Sequence, residues 1–200
     1  MRANLSAVFA GHVSRPLTDS MINLKEHYNK VVIAAMQAKF GYKNILAVPH
    51  IQKVVLNVGL GSALKDQKFF ESAKDTLRII TGQKSIERKA RKSIANFKIR
   101  KGQTIGLSVT LRGIRMYHFI ERFIKFTLPR VRDFRGLDFK ALDKEGNLTV
   151  GLREVSAFPE IRAGEAERQH GLEITVVHNA ATHEEGLELL KLMGFPFRTK

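Results

Sequence analysis

Ile51-Gln52-Lys53-Val54-Val55-Leu56-Asn57-Val58-Gly59-Leu60-Gly61 follows Pro49 and reads as a β-strand. Val54, Leu56, Val58 and Leu60 recur at period two as an inner apolar set, with Gln52 the exception. Ile51, Lys53, Val55 and Asn57 fall on the opposite side, so Lys53 and Asn57 point together away from the apolar set. A strand apolar on one face and polar on the other belongs to a sheet that is covered on one side only.

The neighbouring segments supply the cover. Residues 105–112 repeat the pattern: Ile105, Leu107, Val109 and Leu111 face one way, and Gly106, Ser108, Thr110 and Arg112 the other. Further strands are expected at 84–88, 148–153 and 172–177. Helices are expected at 24–40, where Leu24, Tyr28, Val31, Val32, Ala35 and Met36 form the stripe, and at 66–80, with Phe69, Phe70, Ala73, Leu77 and Ile80. A third covers 115–128, with Met116, Phe119, Ile120, Phe123, Ile124 and Thr127. A last helix opens at the capping box Thr182-x-x-Glu185 and stops at Gly194. The region 90–102 has no clean period and reads as a long basic loop. The sum is an α+β fold, an antiparallel or mixed sheet with helices on one face.

The chain has 200 residues and 44% apolar content, enough for one sizeable core. Residues 21–200 are expected to form that single domain. Residues 1–20 carry Arg2 and Arg15, no acid before Asp19 and no period. They are expected to be a disordered N-terminal extension with Met21 a candidate start, a transit peptide being the alternative. Cysteine is absent, which excludes thiol catalysis, iron–sulfur clusters and Cys zinc sites. No apolar run approaches a membrane span.

The formal charge is +15, and it is uneven. Residues 138–200 hold 8 Lys+Arg against 11 Asp+Glu, leaving a net +18 on residues 1–137. Within the latter, residues 84–101 carry Lys84, Arg88, Lys89, Arg91, Lys92, Lys98, Arg100 and Lys101 opposed by Glu87 alone. Flexible cations at this density fit a nucleic-acid backbone, and a ring among them, Phe97, is either a core anchor or a stacking surface. Lys53, Asn57, Thr110 and Arg112 converge if their two strands are neighbours, giving the mixed amide, hydroxyl and cationic groups that RNA recognition uses. Gly59-x-Gly61 lacks the third glycine of a dinucleotide fingerprint, since position 64 is leucine, and reads as a turn. His178 and His183 stand at poor metal spacing. No enzyme motif stands out, although carboxylates distant in the chain can still pair in the fold. A generic RNA chaperone or RNA-modifying enzyme on the same surface is the competing class.

Several motifs then occur in one order. They are Val54-Val55-Leu56-Asn57-Val58-Gly59-Leu60-Gly61, Thr81-Gly82-Gln83-Lys84, Lys89-Ala90-Arg91-Lys92-Ser93-Ile94-Ala95-Asn96-Phe97-Lys98-Ile99-Arg100-Lys101-Gly102 and Val109-Thr110-Leu111-Arg112-Gly113. They continue with Leu128-Pro129-Arg130-Val131-Arg132-Asp133-Phe134-Arg135-Gly136-Leu137, Phe158-Pro159-Glu160-Ile161 and Gly194-Phe195-Pro196-Phe197-Arg198. On these the chain resembles the bacterial-type 5S rRNA-binding family of large-subunit ribosomal proteins. The resemblance implies a structural protein in the central protuberance of a bacterial-type ribosome, cytoplasmic or organellar, and not an enzyme, so no cofactor or metal is expected. It implies 5S rRNA contacts at Lys53, Asn57, Gln83, Thr110 and Arg112. The loop 89–102 is the counterpart of the family's tRNA-approaching loop, with Lys89, Arg91, Lys92, Ser93, Phe97, Lys98 and Arg100 as contact candidates for the peptidyl-site tRNA. It further implies 23S-type rRNA, neighbouring central-protuberance proteins and a small-subunit head protein as partners, the last through the segments after the 115–128 helix, and no membrane.

Overall fold

The computed structural model describes residues 23–61, 66–161 and 170–198; the expected N-terminal extension, 1–20, lies outside them. Five strands form one sheet: β1 (Ile51–Gly59), β2 (Ile86–Lys89), β3 (Thr104–Leu111), β4 (Leu148–Leu152) and β5 (Leu172–His178). Their order is β2-β3-β1-β5-β4 and every pairing is antiparallel. The helices are α1 (Leu24–His27), α2 (Ile33–Phe40), α3 (Gln67–Thr81), α4 (Gly113–Arg122) and α5 (His183–Leu192). The fold is thus α+β with an antiparallel sheet.

The core lies on one side of that sheet. Val54, Leu56 and Val58 of β1, Leu107, Val109 and Leu111 of β3, and Ile174 and Val176 of β5 are buried with Leu77 and Ile80 of α3, Phe119 and Ile120 of α4, and Leu189 and Leu190 of α5. Each such side chain contributes about 1.5–3 kcal/mol by leaving water. The period-two inner set of β1 is therefore the middle of the core. Ile51 is a correction, since it is buried with that set rather than facing outward with Lys53. A bulge explains it: Ile51 pairs with His178 and Lys53 with Val177, so Gln52 is the extra residue and the parity resets there.

The first helix also departs from a uniform α pattern. A wide π turn, Tyr28–Val32, joins α1 to α2. The buried residues Leu24, Tyr28, Val32 and Met36 stand four apart. At 3.6 residues per turn a four-residue step drifts by about 40°, and a wide turn removes drift. The same adjustment leaves Val31, expected inside, 46% exposed. After α4 a second π turn, Phe123–Thr127, keeps Phe119, Phe123 and Thr127 buried in line. Asp66 caps α3 by accepting the Lys68 and Phe69 N–H groups, and the Thr182–Glu185 capping box opens α5.

Candidate nucleic-acid interface

In β1, β4 and β5 the buried residues alternate with less buried ones, which therefore fall on the second face of the sheet. Its residues stand in rows set by the strand register. One row runs Thr149, Thr175, Val55, Thr110 across β4, β5, β1 and β3; the next runs Gly151, Glu173, Asn57, Ser108, Ile86. A third places Gly59, Gly106 and Arg88 side by side. On the other flank Lys53 pairs with Val177, and Arg112 stands one residue past the Val54–Leu111 pair. Neighbouring strands lie about 4.8 Å apart, so Lys53, Asn57, Thr110 and Arg112 share one compact surface.

Several contacts fix it. Asn57 Nδ2 donates to Glu173 Oε2 at 3.2 Å. Arg112 keeps extended backbone (φ −139°, ψ 164°) before Gly113 turns the chain at φ +60°, where a side chain would strain. Among the described residues no side chain caps α4 at Arg112, which leaves first-turn N–H groups for an acceptor there. Gln83 is not on the face itself. It follows the left-handed Gly82 at the end of α3 and enters the sheet edge three residues before Ile86, from the Thr110 end of β3. Its N–H donates to Thr81 Oγ1 at 3.2 Å, and Arg122, paired with Glu160, donates to Ile80 O at 3.1 Å. That clamp holds the exit of α3 and so the position of Gln83.

The expected long loop is a pinned finger between β2 and β3. Ala90 N–H donates to Gln103 O at 2.8 Å and Gly102 N–H to Ala90 O at 2.9 Å, closing its base. Ile94 and Ile99 exchange both backbone bonds, and Ser93 Oγ accepts the Lys101 N–H at 2.9 Å. Lys98 turns the tip at φ +54°. Phe97 is 70% exposed, which settles it as a surface ring and not a core anchor. Arg91, Lys92, Lys98 and Arg100 are exposed around it, whereas Ser93 holds the finger's two sides together. Cations and an uncovered ring on a pre-ordered support lose little freedom on binding.

The family described as "Ribosomal protein L5" matches residues 44–100, and the "ribosomal L5P family C-terminus" matches residues 104–197. The chain belongs to the ribosomal protein L5 family. It is 51% identical over 177 residues to "Large ribosomal subunit protein uL5" of Carboxydothermus hydrogenoformans, covering 88% of this chain and 99% of that protein. The protein of the same name from Dictyoglomus turgidum is 53% identical over 175 residues, with 88% and 98% covered. That of Colwellia psychrerythraea is 48% identical over 180 residues, with 90% and 99% covered.

An L5-family chain is a structural constituent of the ribosome and not an enzyme. Among its described residues no helix is long and apolar enough to cross a membrane. Sequence reading missed Glu173 and Thr175 on this face, whereas Ser108 stands there with Thr110 and Arg112 as the period of β3 predicts. Period two within 172–177 groups Glu173 with Thr175, but only the sheet order places β5 against β1.

Proposed function

We propose that this L5-family protein binds 5S rRNA in the central protuberance through the open sheet face, and reaches the peptidyl-site tRNA with the 90–103 finger. The observation that carries the reading is the register itself, which gathers Lys53, Asn57, Thr110 and Arg112 on a pre-formed surface with Gln83 at its edge. Lys53 and Arg112 meet phosphates, Asn57, Thr110 and Gln83 meet sugar and base edges, and the finger supplies charge and a stacking ring. The remaining surface serves 23S-type rRNA and neighbouring proteins of a bacterial-type, cytoplasmic ribosome. Beyond α4, Arg130, Arg132 and Arg153 surround a groove of about 560 Å³ with Asp133 and Glu154; this segment is our candidate for the contact to the small-subunit head protein.

Competition between 5S rRNA and an unrelated structured RNA at physiological salt tests the proposal. Selective binding is expected, and equal binding would favour a generic RNA chaperone. Asn57→Ala with Arg112→Ala is expected to weaken 5S rRNA binding by roughly 2–5 kcal/mol, each lost polar contact being worth about 1–3. A folded double variant that binds like the wild type in a filter assay refutes the assignment of this face.

A further inference from the structure

Glu173 is out of place on a surface meant for phosphates. It stands opposite Asn57 in the register, in the middle of the open face, and is exposed. Its Oε2 holds the Asn57 amide nitrogen, so the amide oxygen is turned the other way, toward β3. There Gly106 has no side chain, and the position its Cβ would take is 3.9 Å from Asn57 Oδ1. On the β4 side Glu173 pairs with Gly151, around whose missing Cβ there is nothing within 4 Å. Glu173 is exposed and Asn57 half-buried, and in their row only Gly151 and Ser108 stand beside them, with Gly106 diagonal to Asn57, so no bulky neighbour in that row covers the two acceptors, a carboxylate and an amide oxygen. The cations of the face lie to either side: Lys53 and Arg112 on one flank, Arg88 on the other.

We propose that Glu173 and Asn57 form an acceptor pair that reads hydrogen-bond donors of the RNA, a ribose 2′-hydroxyl or a base amino group, while the flanking cations take its phosphates. A carboxylate repels phosphate and accepts strongly from O–H and N–H donors. In the minor groove of an RNA helix, 2′-hydroxyls and base edges lie together between the backbones. The acid in the centre thus works as a register device. It places sugars or bases over β1 and β5 and rejects a polyanion that lays its backbone there.

The inference rests on the 5S rRNA reading, and one experiment separates the two. Glu173→Gln keeps an acceptor for the Asn57 amide, removes the charge, and turns the second acceptor into a donor. Binding of 5S rRNA to the wild type and to E173Q is measured across a salt series, with an unrelated structured RNA alongside. E173Q is expected to bind 5S rRNA about tenfold more weakly or worse, the loss of one charge-assisted hydrogen bond. Its salt slope should match the wild type, and its affinity for the unrelated RNA should hold or rise. An E173Q that binds 5S rRNA as tightly as a selective wild type, or more tightly, overturns the inference alone. A wild type with no preference for 5S rRNA overturns the rRNA reading and this inference with it. Interference mapping with 2′-deoxy or inosine-substituted 5S rRNA then names the donor: a position that weakens the wild type but not E173Q is a ribose hydroxyl in the first pool and a guanine amine in the second.

Discussion

Tyr28 shows how a single side chain ties sequence pattern to stability. It belongs to the four-residue spacing of the first helix, is buried, and donates its hydroxyl to Pro49 O at 3.0 Å, which fixes the chain just before β1. Burial first, and then nearby Tyr117, push its phenol up to about 12. The unfolded phenol titrates near 10, so the folded state favours the neutral form. The stabilisation is present in full below pH about 10 and is lost as pH rises through about 12. Tyr28→Phe is expected to lower stability at neutral pH by about 0.5–1.5 kcal/mol, the worth of one hydrogen bond. In urea titrations the gap between wild type and Y28F should close between pH 10 and 12; a gap constant over that range would refute the linkage. Side-chain parity within one strand is readable in the sequence, which is why Lys53 groups with Asn57, and Thr110 with Arg112. Parity between strands is not. Glu173 meets Asn57 through a pairing that spans 116 residues of chain, and no local period reports that.

At the scale of elements, start and stop signals were legible because their chemistry is local. Thr182 with Glu185, and Gly194, act where the sequence places them, and Asp66 and Gly82 bound α3 by the same local chemistry. The π turns and the bulge at Gln52 were not legible, because each is a response of the backbone to packing that strict periodicity cannot meet. The finger at 90–102 lacked a period for a related reason: its order comes from cross-bonds such as Ser93 to Lys101, not from a buried face. Helix α5 gives a case where local and packing effects oppose each other. Gly186 sits inside α5, where alanine is ordinarily better by about 1 kcal/mol. A Cβ there would lie 2.5 Å from His178 Cε1. The His178 ring has little room to give way, since its Nδ1 accepts the Ala180 N–H at 3.2 Å and its Nε2 donates to Gly146 O at 2.8 Å. Packing wins, and Gly186→Ala is expected to destabilise by about 1–3 kcal/mol. A urea midpoint unchanged or raised in G186A would show that the ring can shift without loss.

Across the whole molecule the charge separates into a strongly basic part, residues 1–137, and a slightly acidic remainder. The fold divides the basic part again, because the finger extends from the β2–β3 edge while the polar rows centre on β1. Two surfaces on one rigid sheet suit two RNA partners, and they should be separable. Removing residues 91–98 takes away Arg91, Lys92, Lys98 and the Phe97 ring. It leaves the base of the finger closed by the Ala90–Gln103 and Gly102–Ala90 bonds. If the sheet face alone holds 5S rRNA, affinity for it and the slope of that affinity with salt should both stay unchanged. Three cations lost from the 5S rRNA contact would flatten the slope by about 2, at roughly 0.7–0.9 per phosphate. Ribosomes carrying the shortened protein should hold peptidyl-site tRNA less firmly in a dissociation assay. A flatter 5S rRNA slope, or tRNA retention equal to wild type, would mean that the finger and the sheet face serve the same RNA.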